Sequence, residues 1–112
     1  MKIVINSDYG GFGLSDEAVR EYGRRKGLNL VERVDGSFTF FYVGELKEEL
    51  YFADIEIPRD DPILVAVVEE MGEKAGSRFS TLKVVEIPDG IDWYIEEYDG
   101  IEHIAEKHRT WR

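Results

Sequence analysis

The chain has 112 residues, 43% of them hydrophobic and 34% charged, with a net charge of −10 and no cysteine. That length suits one domain with a single core, and the lack of thiols excludes disulfides, thiolate metal sites and cysteine nucleophiles. Residues 1–56 carry 7 basic and 11 acidic side chains and residues 57–112 carry 7 and 13, so neither half offers a basic patch and direct nucleic-acid binding is disfavoured.

The opening MKIVINSDYG falls short of a secretory h-region, and no later stretch approaches the roughly 20 apolar residues that span a bilayer. A cytoplasmic protein without a membrane partner is expected.

Lys2–Asn6 is a short β-branched run and reads as a strand. After the loop Ser7–Gly13, Ser15 offers an N-cap, Asp16 and Glu17 suit a first helical turn, and Gly27 stops the helix behind Arg24, Arg25 and Lys26. A helix over Asp16–Lys26 is predicted, with Leu14 and Val19 spaced as a hydrophobic staple. Asp35-Gly36 between NLVERV and SFTFFYV has the form of a two-residue hairpin. Phe38, Phe40 and Tyr42 share one face of the second strand and Phe41 lies on the other, the pattern of a central strand.

The stretch ELKEELYFADIEIP admits a helical turn at Glu45–Leu50 or a strand at Tyr51–Ile57, and the strand is favoured. Asp60-Asp61-Pro62 opens a second helix, with an aspartate as cap, whose stripe of Ile63, Leu64, Val67, Val68 and Met71 carries it toward Gly76. The C-terminal third reads as a β-meander closed by a turn at Asp99-Gly100. That turn pairs Tyr98 with Ile101, Glu97 with Glu102, Glu96 with His103 and Ile95 with Ile104. The expected fold is α+β: a mostly antiparallel sheet of about five to seven strands, with the helices Asp16–Lys26 and Pro62–Ala75 packed on it.

Four groups of residues bear on function. Gly10, Gly11, Phe12 and Gly13 lie between a strand and a helix, where backbone amides can hold an anion. Their spacing matches neither GxGxxG nor the P-loop, and Asp8, Asp16 and Glu17 flank them, so a structural turn competes with a ligand contact. Glu97 opposite Glu102, with Glu106 farther along, has oxygen ligands for a hard cation, although a solvated hairpin beside a lysine or arginine is favoured. His103 facing Glu96 has the form of an oriented base, but no nucleophile motif accompanies it. The terminal HRTWR interleaves His108, Arg109 and Arg112 with Trp111, a combination able to hold phosphates and stack on a base, or only to cover a core edge.

Taken together, MKIVIN…GGFGLSDEAV, IPRDDPILVAVVEEMG and IEEYDGIEHIAEKHRTW resemble a widespread set of small phage-encoded proteins. The resemblance implies a product made in an infected bacterial cytoplasm and, by analogy of origin and size, one that counters host defence by sequestering a nucleotide signal. On that reading the protein is not an enzyme, needs no cofactor or metal, and binds a small nucleotide, linear or cyclic. Gly10–Gly13 and Arg109 would hold phosphates, Phe12 and Trp111 would stack bases, and a homo-oligomer would bring one chain's tail to another's loop. Two alternatives stay open: an acidic inhibitor or DNA mimic that docks on a basic host protein, and a small hydrolase using His103 or the Glu97/Glu102 pair.

Overall fold

A computed structural model describes residues 1–107. Along the chain run β1 (Lys2–Asn6), α1 (Asp16–Lys26), β2 (Leu30–Asp35), β3 (Phe38–Val43), α2 (Pro62–Met71), β4 (Leu82–Glu86), β5 (Trp93–Tyr98) and β6 (Ile101–Glu106). The α+β class is observed, with two helices and six antiparallel strands. The strands form three separate two-stranded ladders, β1–β4, β2–β3 and β5–β6, and not one continuous sheet.

The reason lies at the strand edges. On the side of β1 away from β4, Val4 N–H donates to the carbonyl of Arg59 and Asn6 N–H donates to the carboxylate of Glu102. Those acceptors occupy the amides that another strand would need. At β3 the only further pairing among the described residues is a single bridge between Tyr42 and Tyr51, supported by Phe52 N–H donating to Phe41 O. The expected central strand is therefore an outer one. Its aromatics are covered in different ways: Phe41 and Tyr42 are buried, whereas Phe40 lies under the guanidinium of Arg33, 4.8 Å from the ring centre.

The core forms where α1 and α2 meet the β1–β4 ladder. Leu64, Val67 and Ala18 are fully buried there beside Val4, Val19 and Leu82. Ile3 and Ile5 are buried on the opposite face of β1, so that strand is covered on both sides and reads as an unbroken apolar run. Ser15 caps α1, its Oγ accepting from Ala18 N–H at 3.1 Å, and Gly27 ends the helix in the left-handed conformation. Leu14 and Val19 are both buried in the core, as the staple spacing predicts.

Asp61 caps α2 and also joins it to α1. Its carboxylate accepts from the amides of Ile63 and Leu64, from Tyr22 Oη at 2.8 Å and from Lys26 Nζ at 3.1 Å. Burial pushes the Asp61 carboxyl up, but Tyr22, Lys26 and the two amides outweigh it and hold the group below its ordinary value. Burial, and then the Asp61 charge, push the Tyr22 phenol up in return.

Four further expectations are corrected. Tyr51–Ile57 is not a strand: Glu48–Leu50 and Asp54–Glu56 are 3₁₀ turns, because Ile57 N–H bonds back to Asp54 O while the Asp54 side chain reaches Leu14 N–H. The second helix is α-helical to Met71 and continues as a 3₁₀ turn over Gly72–Ala75, where Gly72 has φ +58°. In the first hairpin Asp35 pairs with Phe38, so the two loop residues are Gly36 and Ser37, one position later than expected. The C-terminal meander is divided: β4 pairs with β1, and only β5 and β6 form the hairpin. Its four predicted cross-strand pairs are all observed, and Asp99 and Gly100 both have positive φ, as a type I′ turn requires.

The radius of gyration is 15.3 Å, against about 13 Å for a chain of this length folded to ordinary compactness. The outer half of β2 is exposed, and so is most of β5.

Candidate ligand-binding cleft

The glycine loop is a joint within the fold. Gly10 and Gly11 have φ of +106° and +91°, and the turn of the β5–β6 hairpin lies directly on their backbone. A Cβ on Gly100 would collide with Gly11 N and would stand 2.6 Å from Gly10 N. Gly10 in turn packs on Phe79, where an added Cβ would come within 2.9 Å of the carbonyl oxygen. Several polar groups nearby are engaged internally. Gly10 N–H faces Asp99 O at 3.4 Å, Gly13 O accepts from Ser77 N–H and Ser80 Oγ, and Leu14 N–H donates to the Asp54 carboxylate at 2.8 Å. An anion does sit at this strand-to-helix loop, and it belongs to Asp54.

Phe12 is half-buried, with the Arg59 guanidinium 3.6 Å from its ring centre. The same guanidinium grips Glu102 through two bonds of 2.6 and 2.8 Å. Glu102, whose side chain is only 8% exposed, also accepts from Asn6 N–H. Asn6 is fully buried and uses both ends of its amide, donating to Asp8 O and Gly100 O and accepting from Asp8 N–H and Thr81 N–H. This network fastens the hairpin to the core through polar contacts.

Glu97 and Glu102 face each other in register but part company. Glu97 accepts from Gly100 N–H, whereas Glu102 turns inward to Arg59. The favoured arginine neighbour is therefore present for Glu102, on a buried and not a solvated carboxylate. Among the described residues no three His, Cys, Asp or Glu side chains are placed to hold a metal ion. His103 does bond Glu96, at 2.6 Å on the exposed face of the hairpin, and Tyr94 Oη donates to the other oxygen of the same carboxylate. Tyr94 and then His103 hold the Glu96 carboxyl below its ordinary value. His108, Arg109 and Trp111 lie outside the described residues.

A cleft lies elsewhere. It opens between the N-terminal half of α1, the tip of the β2–β3 hairpin and the segment joining α2 to β4, with a volume of about 720 Å³. Two of these walls each present a phenylalanine to solvent: Phe38 from the hairpin, 62% exposed, and Phe79 from the connecting segment, 61% exposed. Lys74, Arg78 and Arg20 bring positive charge, and Asp16 and Glu17 bring negative charge. Arg20 is committed to Glu32 by two hydrogen bonds of 2.9 and 2.8 Å. Lys74 and Arg78 make no ion pair among the described residues and are exposed.

Local chemistry positions these groups. Ser15 Oγ donates to Lys74 O at 2.7 Å, and Ser15 N–H bonds Ala75 O, which ties the start of α1 to the 3₁₀ turn. The Ser77–Ser80 turn is fastened by Ser77 N–H to Ser80 Oγ at 2.7 Å and by its bonds to Gly13 O, leaving Arg78 and Phe79 at its exposed apex. Phe38, Lys74, Arg78 and Phe79 match no sequence motif. The one available sign is SRFS, an arginine and an aromatic flanked by serines between two regular elements. No family model matches this chain, and no curated protein or solved structure matches it.

Proposed function

We propose that this protein is a binding protein for a small molecule that combines a planar ring with an anionic group, a nucleotide in chemical class, and that the molecule occupies the cleft between α1 and the β2–β3 hairpin. The observation that carries the reading is the meeting of Phe38 and Phe79 with Lys74 and Arg78 around one opening. Exposed phenylalanines offer faces on which a base stacks, and cations not engaged in ion pairs meet phosphate. Binding pockets for small ligands commonly enclose about 300–1,000 Å³, so a mononucleotide or a small cyclic nucleotide is of suitable size.

This reading keeps the ligand class expected from the resemblance and moves the contacts. Phe79 and Arg78 take the parts first given to Phe12 and Arg109. Retention of such a molecule without turnover, as in the sequestration of a signal, is the biological form we favour.

The test is a melting-temperature and calorimetric screen of the full chain against linear and cyclic nucleotides. A ligand at a hundred times its Kd stabilises by about 2.7 kcal/mol, which is readily seen in a domain of this size. Stabilisation that disappears in Phe79→Ala and Arg78→Ala is expected. No shift with any nucleotide, or a shift that survives both substitutions, overturns the proposal.

A further inference from the structure

The β5–β6 ribbon carries an unpartnered surface of its own. Residues 89–106 contain seven acidic side chains and no lysine or arginine. Two of the seven are neutralised within the fold, Glu102 by Arg59 and Asp89 by the N-terminal ammonium group. Asp92, Glu96, Glu97, Asp99 and Glu106 remain, all exposed. Tyr94 and Tyr98 share the outer face of β5 with Glu96, and Tyr98 is 76% exposed.

The edge of the ribbon is as open as its face. β5 pairs with β6 alone, and among the described residues no backbone hydrogen bond joins it to another strand. Its outer amides and carbonyls are therefore a template for one more strand. Two-stranded ribbons are marginal without a third strand or a covering layer, so occupation of this edge would stabilise β5 and β6 as well.

From these features we infer that β5 is a docking edge for an extended, arginine-rich segment of a partner protein, which adds antiparallel or parallel to Trp93–Tyr98 as a third strand. The charge decides the chemistry of the occupant. In an added strand with arginine at alternate positions, one face of guanidinium groups lies beside Glu96, Tyr94 and Tyr98. There the arginines meet a carboxylate and two aromatic rings. Glu96 already accepts from Tyr94 and His103, but a carboxylate has about four acceptor positions, so it remains able to receive an arginine. A second copy of this chain fits poorly, because joining two β5 edges would set Glu96 and Glu97 of both copies side by side.

The probe is a labelled synthetic peptide of about ten residues that alternates arginine with threonine, a strand's length. It is added to the full-length protein and followed by fluorescence anisotropy and amide hydrogen exchange. Binding at about 50 mM salt that weakens at about 200 mM is expected, together with slower exchange of the outward-facing β5 amides. Glu96→Gln with Glu97→Gln should weaken binding by about tenfold. The control Glu48→Gln with Glu49→Gln removes the same charge from the exposed turn after β3 and should change it by no more than about twofold. Equal weakening by the two variants would reduce the effect to net charge and overturn the inference. It is equally overturned by no binding at the lower salt, by unchanged β5 exchange, or by a protein that is already dimeric with its β5 amides protected.

Discussion

Two places in this molecule combine an arginine with a phenylalanine, and they differ in what the arginine still has to do. At the hairpin joint, Arg59 lies on Phe12 and grips Glu102, and Glu102 also accepts from Asn6 N–H. Around the cleft, Arg78 and Phe79 stand exposed at the apex of a fastened turn, with no ion pair at Arg78 among the described residues. A satisfied buried network resists change and holds elements together, whereas groups without partners are available to a ligand. The same residue types therefore serve structure in one place and recognition in the other, and burial with a carboxylate partner separates the two.

The comparison breaks first at Arg59. Arg59→Met leaves Glu102 buried and uncompensated and should cost about 3–5 kcal/mol in denaturant unfolding. Adding Glu102→Leu should recover part of that loss, since no unpaired charge then remains, though Asn6 N–H loses its acceptor. A double variant as unstable as the single one would show that the pair is not the fastening of the hairpin.

Next in size is Gly100→Ala, which sets a Cβ against the backbone of Gly10 and Gly11 at a φ of +88°. Overpacking and strain together should cost about 2–3 kcal/mol, with faster amide exchange in β5 and β6 than in α2. Uniform loss of protection would mean that the ribbon and core unfold as one unit.

Acid provides a smaller effect within the core. The folded-state carboxyl of Asp61 lies below its ordinary value of 3.8, so its contribution is fully present above that pH and is lost as pH falls through 3.8 and below. The stability of Asp61→Asn should depend less steeply on pH in that window than that of the parent. Matching slopes would assign acid sensitivity to other carboxylates.

Smallest in stability is the cleft itself. Arg78→Ala and Phe79→Ala should each change unfolding free energy by no more than about 0.5 kcal/mol while removing ligand-induced stabilisation. A large loss of stability would place Phe79 with Phe12, as a structural aromatic.

Much of the secondary structure was legible because its signals are local. Ser15, Asp16, Glu17 and Gly27 delimit α1 to the residue, and Asp99-Gly100 sets the register of the last hairpin through its two positive φ angles. The failures share a cause at longer range. Tyr51–Ile57 has strand-like composition, but the distant Leu14 amide captures the Asp54 side chain and the segment curls. β4 leaves the expected meander because β1, buried on both faces, offers it a partner from the other end of the chain.

The sequence by itself determined the α+β class, both helix starts, the C-terminal hairpin and an acidic surface, since caps, turns and composition act within a few residues or not through contacts at all. Tertiary structure alone decided that three ladders stay separate, that Gly10 and Gly11 receive Gly100, and that Phe38 and Phe79 share one opening. The last two outcomes depend on the close approach of residues 41 to 90 positions apart, and nothing in the local conformational preference of either partner encodes the meeting.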